Sequence, residues 1–195
     1  MAPQDGGRKQ TRSLLVLVWR AYLNKLQKDP LLTKSLTAGV LNGLSNVVAQ
    51  KTRGRHNKRH VSWHMVMKYV AFGIVWAGPS VHYWQNALER LVPRRRGESR
   101  TAWALRKTII DQLVYGPLAN IVFLSFIGHV IEQKNFKDTI QKVKKEYAHV
   151  QMKGFAIWPI ASLINQFYVP LSLRVLWLNS VSFGWSTFLM LRAKR

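Results

Sequence analysis

The chain has 195 residues, enough for one domain, and combines a net charge of +22 with 48% apolar residues. So basic a chain first points to a nucleic-acid partner, because Lys and Arg neutralise phosphates without reading sequence. The distribution of the charges excludes that reading: Ser35–Gln50, Tyr69–Leu88, Gln112–Ile131, Gly154–Leu173 and Val175–Leu191 contain none of the 30 Lys/Arg or 8 Asp/Glu. A soluble basic domain needs charged positions on the exposed face of every helix. A helix of about 20 residues spans roughly 30 Å, the hydrocarbon thickness of a bilayer. The chain therefore reads as all-α, a polytopic transmembrane helix bundle of about four spans with amphipathic N-terminal and connector helices.

Residues 1–12 read as a disordered basic arm and 13–195 as a single membrane domain. Ser13–Lys28 reads as an amphipathic helix, with Leu15, Val18, Tyr22 and Leu26 at helical spacing and Arg20, Lys25 and Lys28 polar. Asp29-Pro30 marks its boundary. The first span, about 31–50, carries a Gly39/Gly43 G-x-x-x-G pair that lets a neighbouring helix approach closely. Ser35, Asn42, Asn46 and Gln50 lie near one of its faces. The second span, about 63–91, is interrupted by Gly78-Pro79, after which His82, Gln85, Asn86 and Glu89 follow at helical spacing. Among the His and acidic residues, His82 with Glu89 is the one candidate for a buried polar pair, the other reading being hydrogen bonds across helices.

The third span, about 105–131, has Asp111-Gln112 near its start and Gly116-Pro117 soon after. In the connector 132–153, Phe136, Ile140, Val143, Tyr147 and Val150 mark one apolar stripe, and Lys137, Lys142, Lys144 and Lys145 occupy other faces. Such a helix is expected at the membrane interface. The last span, about 154–191, is divided near 170–174 by Pro170 and Arg174. With four spans, residues 1–34, 92–107 and 192–195 share one side and carry 16 Lys/Arg, against 11 in 51–64 and 132–153. Both sides are strongly basic, which suits anionic lipid head groups and sets no orientation.

The absence of cysteine excludes disulfides, Cys-based zinc sites and thiol catalysis. No phosphate loop, dinucleotide fingerprint, zinc-protease or serine-hydrolase motif occurs, so no enzyme, cofactor or metal site is expected. The candidate functional positions are Asn42, Asn46, Gln50, His82, Asn86, Glu89, Asp111, Gln112 and Asn165. Two readings stay open: these groups hydrogen-bond across helices, or they line a water-filled path. Gly39, Gly43, Gly78, Pro79, Pro117, Trp158, Pro159, Pro170 and Arg174 are read as packing or kink positions. Tryptophans such as Trp19, Trp63, Trp103 and Trp158 stand close to span ends, as interfacial anchors do. Expected partners are membrane lipids, small solutes and a second copy of the chain, and no nucleic acid.

Trp158-Pro159, Asn165, Val169-Pro170 and Arg174 resemble the C-terminal signature of the Mpv-seventeen / 22 kDa peroxisomal membrane protein family. Gly78-Pro79 with His82 and Tyr83-Trp84, Asp111-Gln112 with Pro117, and Thr37-Ala38-Gly39 with Gly43 and Gln50 are similar to that family's helix motifs. Trp19, Tyr22 and Pro30 fit its opening helix. Two positions depart from the pattern: Gln166 stands where an aromatic is usual, and Asn46 where many members have Asp. The resemblance implies a non-enzymatic, four-span membrane protein, with some members held to form weakly selective channels for small solutes and metabolites. The alternative it leaves is a non-conducting scaffold. Leu31-Leu32-Thr33-Lys34 and Tyr168-Val169-Pro170-Leu171 look most like the peroxisomal branch, the mitochondrial inner membrane being the other location.

Overall fold

A computed structural model describes residues 6–54 and 60–192, excepting the side chains of 6–13, 15, 53, 54, 190 and 192. All regular structure among the described residues is helical: α1 (Gly6–Lys28), α2 (Pro30–Gly54), α3 (Trp63–Phe72), α4 (Gly78–Leu91), α5 (Arg100–Ile110), α6 (Gly116–Phe126), α7 (Phe136–Gly154), α8 (Trp158–Tyr168) and α9 (Arg174–Arg192). Wide π-helical turns, Gly73–Ala77 and Asp111–Tyr115, join α3 to α4 and α5 to α6, and a third, Ile127–Ile131, extends α6. Each of the first two turns precedes a Gly-Pro pair. Proline has no N–H, and its ring would strike the carbonyl four residues back. Here the glycine N–H reaches five residues back instead, Gly78 to the Gly73 carbonyl and Gly116 to that of Asp111, and the helix continues.

Local chemistry sets the ends. Pro30 opens α2, where its missing donor costs nothing. Ser99 caps α5 by accepting from the Ala102 N–H at 3.1 Å, and Asn135 caps α7 by accepting from the Asp138 N–H at 2.8 Å.

The helices form a bundle with two recognisable ends. At one end α4 stops against α5, where Trp103 Nε1 donates to the Val92 carbonyl at 2.8 Å, and Arg100 donates to the Phe167 carbonyl at the foot of α8. At the other, Gln50 meets Ser62, Lys68 Nζ donates to the Val130 carbonyl at 2.9 Å, and Leu191 packs near Ala49 and Ile127. Thus α2 runs one way, α3–α4 back, and Arg100–Ile131 forward again. From there α7 descends along α6, with Thr139 and Lys142 against Gly128 and Asn120 Nδ2 donating to Gln151 Oε1 at 2.8 Å. The turn 155–157 separates it from α8, which continues down α5. The segment 169–173 reverses the chain, and α9 returns parallel to α2, with Ser45 Oγ donating to the Phe183 carbonyl at 3.0 Å.

The closest packing is between α2 and the α3–α4 rod. A Cβ on Gly73 would lie 2.5 Å from the Gly39 Cα, and one on Gly78 would lie 2.4 Å from the Ser35 Cα. A Cβ on Gly43 would meet the Val70 side chain at 2.6 Å. Gly39 and Gly43 thus serve the close approach expected of them, and Gly78 does the same from the opposite helix. The third rod is joined to this pair largely by aromatic rings: Tyr69 and Phe72 on Phe126, and Trp84 stacked on Tyr115 at 5.5 Å.

Polarity is distributed inside out. On α2, Leu32, Leu36, Val40, Leu44 and Val48 recur every fourth residue and are all exposed, while Lys34, Ser35, Asn42, Ser45 and Asn46 are buried. On the third rod Leu105, Ile109, Leu113, Leu118 and Ile121 are exposed, while Lys107, Asp111, Gln112 and Asn120 are buried. Water penalises so large an apolar exterior. Lipid favours it, because buried polar groups then satisfy one another inside the bundle.

Several expectations are corrected. Helix α1 begins at Gly6, so Gly6–Arg12 is helical where an arm was expected; residues 1–5 lie outside the described residues. The third rod begins at Arg100, five residues earlier than expected, because Ser99 caps it there. Among the described residues one helix, Arg100–Ile131, is long and apolar enough to cross a membrane by length and composition alone. The other expected spans are helical but shorter or more polar: α2 carries Lys34 and its asparagines, α8 has 11 residues, and α9 starts on Arg174. The segment 154–191, expected to divide near 170–174, is an antiparallel hairpin, with Trp177 Nε1 on α9 donating to the Ala161 carbonyl on α8 at 3.0 Å. Because α7–α8 carries the chain back, α9 ends beside Gln50–Ser62, opposite the end where Pro30 lies; residues 193–195 are outside the description. The apolar stripe of α7 is buried only in part. Val143, Tyr147 and Val150 pack against Leu124 and Trp185, whereas Phe136 and Ile140 are exposed.

Candidate functional site

The interior of the bundle gathers polar side chains from five elements. At the end where α4 stops, Glu89 Oε2 accepts from Arg174 Nη1 at 2.8 Å and from Lys107 Nζ. The Lys107 side chain is fully buried, and its ammonium also sits 3.9 Å from the centre of the Trp103 ring. Arg174 is 7% exposed and makes a further contact to the Val169 carbonyl at 3.3 Å. One carboxylate thus bridges two cations, on α5 and α9, that the fold buries.

Two turns back along α4, His82 stands between α2 and its own helix. Buried Lys34 places its Nζ 3.2 Å from His82 Nδ1, and the Asn86 amide lies 3.3 Å from Nε2. An ammonium only donates, so Nδ1 is the acceptor in the contact with Lys34.

Between these two clusters the interior is lined by amides. Asn165 Nδ2 on α8 donates to Gln85 Oε1 on α4 at 3.2 Å, and both residues are almost wholly buried. The remaining atoms of the pair, Gln85 Nε2 and Asn165 Oδ1, have no hydrogen-bond partner, and neither amide atom of buried Gln166 has one. Each such group costs about 1–3 kcal/mol unless something polar meets it.

On the third rod, the π turn directs Asp111 inward. Trp84 Nε1 donates to Asp111 Oδ1 at 2.6 Å, and Gln112 Nε2 lies 3.4 Å from Oδ2. Beneath the stacked Trp84 ring, the Tyr115 hydroxyl and Ser80 Oγ are 3.0 Å apart. Near the opposite end, Gln50 Nε2 donates to Asn46 Oδ1 at 2.6 Å, and Gln50 Oε1 accepts from the Ser62 N–H at 2.8 Å, so this residue anchors the start of α3. Asn42 turns to its own helix, donating to the Ala38 carbonyl at 2.8 Å.

The connector carries the charged cluster outside the spans. Lys142 donates to Glu132 at 3.0 Å and to Glu146 at 2.8 Å, and Lys134 pairs with Glu132 at 2.9 Å. Burial alone would raise the Glu132 carboxyl, but hydrogen bonds from Lys134 and Lys142 hold it below its ordinary value. Burial alone would lower Lys142, but Glu146 and Glu132 hold it above its ordinary value.

Of the positions singled out from sequence, Asn42, Asn46, Asp111, Gln112 and Asn165 are buried, and Gln50, His82, Asn86 and Glu89 are partly buried. The candidate His82–Glu89 pair is not made. Seven residues separate them, about 10 Å along a helix, and each has nearer partners on other helices. Sequence reasoning counted Lys34 and Lys107 only among the basic groups at the span ends, and did not choose Trp84, Tyr115 or Gln166 as site residues. For three of them the available signal was position: Lys107 and Tyr115 each lie four residues from Asp111, and Gln166 is next to Asn165.

The comparisons with known proteins bear on this arrangement. Residues 129–190 match the model of the Mpv17 / PMP22 family. The chain is 36% identical over 173 residues to the peroxisomal membrane protein PMP22 of Arabidopsis thaliana, covering 89% of this chain and 88% of that one. It belongs to the Mpv17/PMP22 family. PXMP2/4 family protein 3 of Dictyostelium discoideum is 35% identical over 180 residues, or 92% of both chains. The mitochondrial inner membrane protein Mpv17 of Rattus norvegicus is 28% identical over 176 residues, covering 90% of this chain and 97% of that one. No solved structure matches. The protein is thus a membrane protein of this family. Its location is the peroxisomal membrane, with the mitochondrial inner membrane as the alternative.

Proposed function

We propose that the bundle forms a weakly selective pore for small polar solutes. The continuous rods α2, α3–α4, α5–α6 and α9 supply four crossings, and α7 followed by the 11-residue α8 returns the chain between the third and the fourth. The observation that carries this reading is the set of unpartnered amide atoms on Gln85, Asn165 and Gln166, buried in the interior of an otherwise apolar-faced bundle. Such groups call for water or a passing polar solute, and a membrane protein that only packed its helices would gain by replacing them with apolar side chains. The amides lie across the path, so conduction requires them to part; the π turns at Gly73–Ala77 and Asp111–Tyr115 give α4 and α6 the means to shift.

No enzymatic role belongs to this reading. Self-association is its natural extension, since several copies would widen a path that one bundle keeps narrow. The test is conductance of the purified protein in planar bilayers together with solute efflux from liposomes. Conducting events that change when Asn165→Leu or Gln166→Leu is introduced support the pore, and an electrically silent protein with no flux refutes it. The second reading, a non-conducting scaffold, is favoured by the backbone-to-backbone packing of Gly39 with Gly73. Under it, the same leucine substitutions alter stability and leave permeability at the level of empty liposomes.

A further inference from the structure

A groove of about 360 Å³ opens between α1, α2 and α9, away from the polar interior. Its wall is Leu32, Leu36, Val40, Leu41 and Leu176, and Tyr22 and Lys25 stand at its α1 edge. Leu32, Leu36 and Val40 repeat every fourth residue, so the wall extends along α2 for about 12 Å. That is close to one leaflet of hydrocarbon, about 15 Å. The volume lies in the range of small-ligand sites, roughly 300–1,000 Å³. Thr33 and Thr37 add little polarity, because their hydroxyls already donate to the Lys25 and Thr33 carbonyls at 3.2 and 2.8 Å.

The α1 edge differs from the wall. The Tyr22 hydroxyl is buried without a hydrogen-bond partner. Lys25 pairs with Asp29 at 2.9 Å, but both side chains are about half exposed, and such a surface pair is weak and readily exchanged. Lys28 follows in the same last turn of α1. A basic, donor-rich rim above an apolar trough matches the two ends of a phospholipid: phosphate at the rim, acyl chain in the trough. It does not fit a soluble solute, which would not bury against leucines.

We propose that this groove is a binding site for one anionic phospholipid, its phosphate on Lys25 and the Tyr22 hydroxyl and one acyl chain along Leu32–Val40. The site is independent of conduction: it stands whether or not the interior passes solutes.

The test uses the full chain purified in detergent, with phosphatidylglycerol and phosphatidylcholine of equal chain length, read by native mass spectrometry. One retained phosphatidylglycerol per chain, preferred over phosphatidylcholine, is expected. Lys25→Glu should weaken that retention about tenfold, as loss of a charge-assisted hydrogen bond does. Tyr22→Phe should weaken it less. Val40→Trp fills the groove from an exposed position and should abolish retention with an unchanged circular-dichroism spectrum. Equal retention of both lipids, or phosphatidylglycerol still held by Val40→Trp, overturns the proposal. So does a dimer that Val40→Trp disrupts, because the groove would then hold a second copy of the chain.

Discussion

Replacing Glu89 by Gln probes the strongest electrostatic contact in the bundle. The substitution keeps the shape and removes the charge that Lys107 and Arg174 share, and those side chains are 0% and 7% exposed. Breaking a buried ion pair by removing one partner costs about 3–5 kcal/mol, because the other charge stays desolvated. Glu89 itself is 33% exposed, so solvent already screens part of the attraction and the lower end applies, about 3 kcal/mol. In a protein of this length that lowers the Tm by about 6–12 °C. Lys107→Met behaves differently. It leaves Glu89 paired with Arg174 and removes a cation that was costly to bury, so the loss is about 1–2 kcal/mol. The double variant should lose less than the sum of the two by at least about 1 kcal/mol, since the second change removes a charge the first had stranded. Thermal unfolding in detergent micelles, followed by tryptophan fluorescence, measures all three. A Glu89→Gln protein within about 2 °C of the parent, or strict additivity in the double variant, would refute the buried-triad argument.

Other expectations follow from contacts elsewhere. Gly73→Val places atoms where a Cβ alone would sit 2.5 Å from the Gly39 backbone, and should destabilise by about 3 kcal/mol or more, whereas Gly184→Ala meets nothing within 4 Å and should stabilise by about 0.5–1 kcal/mol. The same melting assay separates them, and equal effects would refute the close-packing account. Trp84→Phe keeps the stack on Tyr115 but removes the donor to Asp111, a loss of about 1–3 kcal/mol, visible as a lower Tm that Asp111→Asn does not deepen further in the double variant. The connector should respond to acid. The Glu132 carboxyl is held below its ordinary value of 4.5, so its contribution is complete above that pH and is lost as pH falls through the lower folded value. Lys142 is held above 10.5, so its contribution is complete below that pH and is lost only in stronger alkali. Hydrogen exchange of α7, corrected for intrinsic rate, should therefore accelerate in acid, once the pH has fallen below 4.5, and Glu132→Gln should remove most of that response. An α7 whose protection is constant down to pH 3 would count against the ion-pair cluster as its clamp.

Much of the fold was legible because its determinants are local. Gly78-Pro79 and Gly116-Pro117 announce the wide turns, since proline's missing donor acts wherever the pair stands. Gly39 and Gly43 announce a close helix neighbour, and that neighbour is found at Val70 and Gly73. The candidate site was legible in composition and not in pairing. His82 was matched with Glu89 on its own helix, whereas Lys34 and Lys107, from two other helices, reach those side chains first. Lysines beside charge-free runs read as basic groups at span ends, because nothing within a few positions shows that another helix will cover them.

The sequence by itself determined the membrane character and the family, through the segregation of charge from five long runs and through the motifs those runs contain. Only the tertiary structure decided that α7 and α8 form a return stroke, that α9 therefore runs parallel to α2, and that Glu89 bridges Lys107 and Arg174. The physical reason is range. Helix formation, kinks and hydropathy are set within a few residues, whereas partners such as Glu89 and Arg174, 85 positions apart, meet only when the whole bundle has closed.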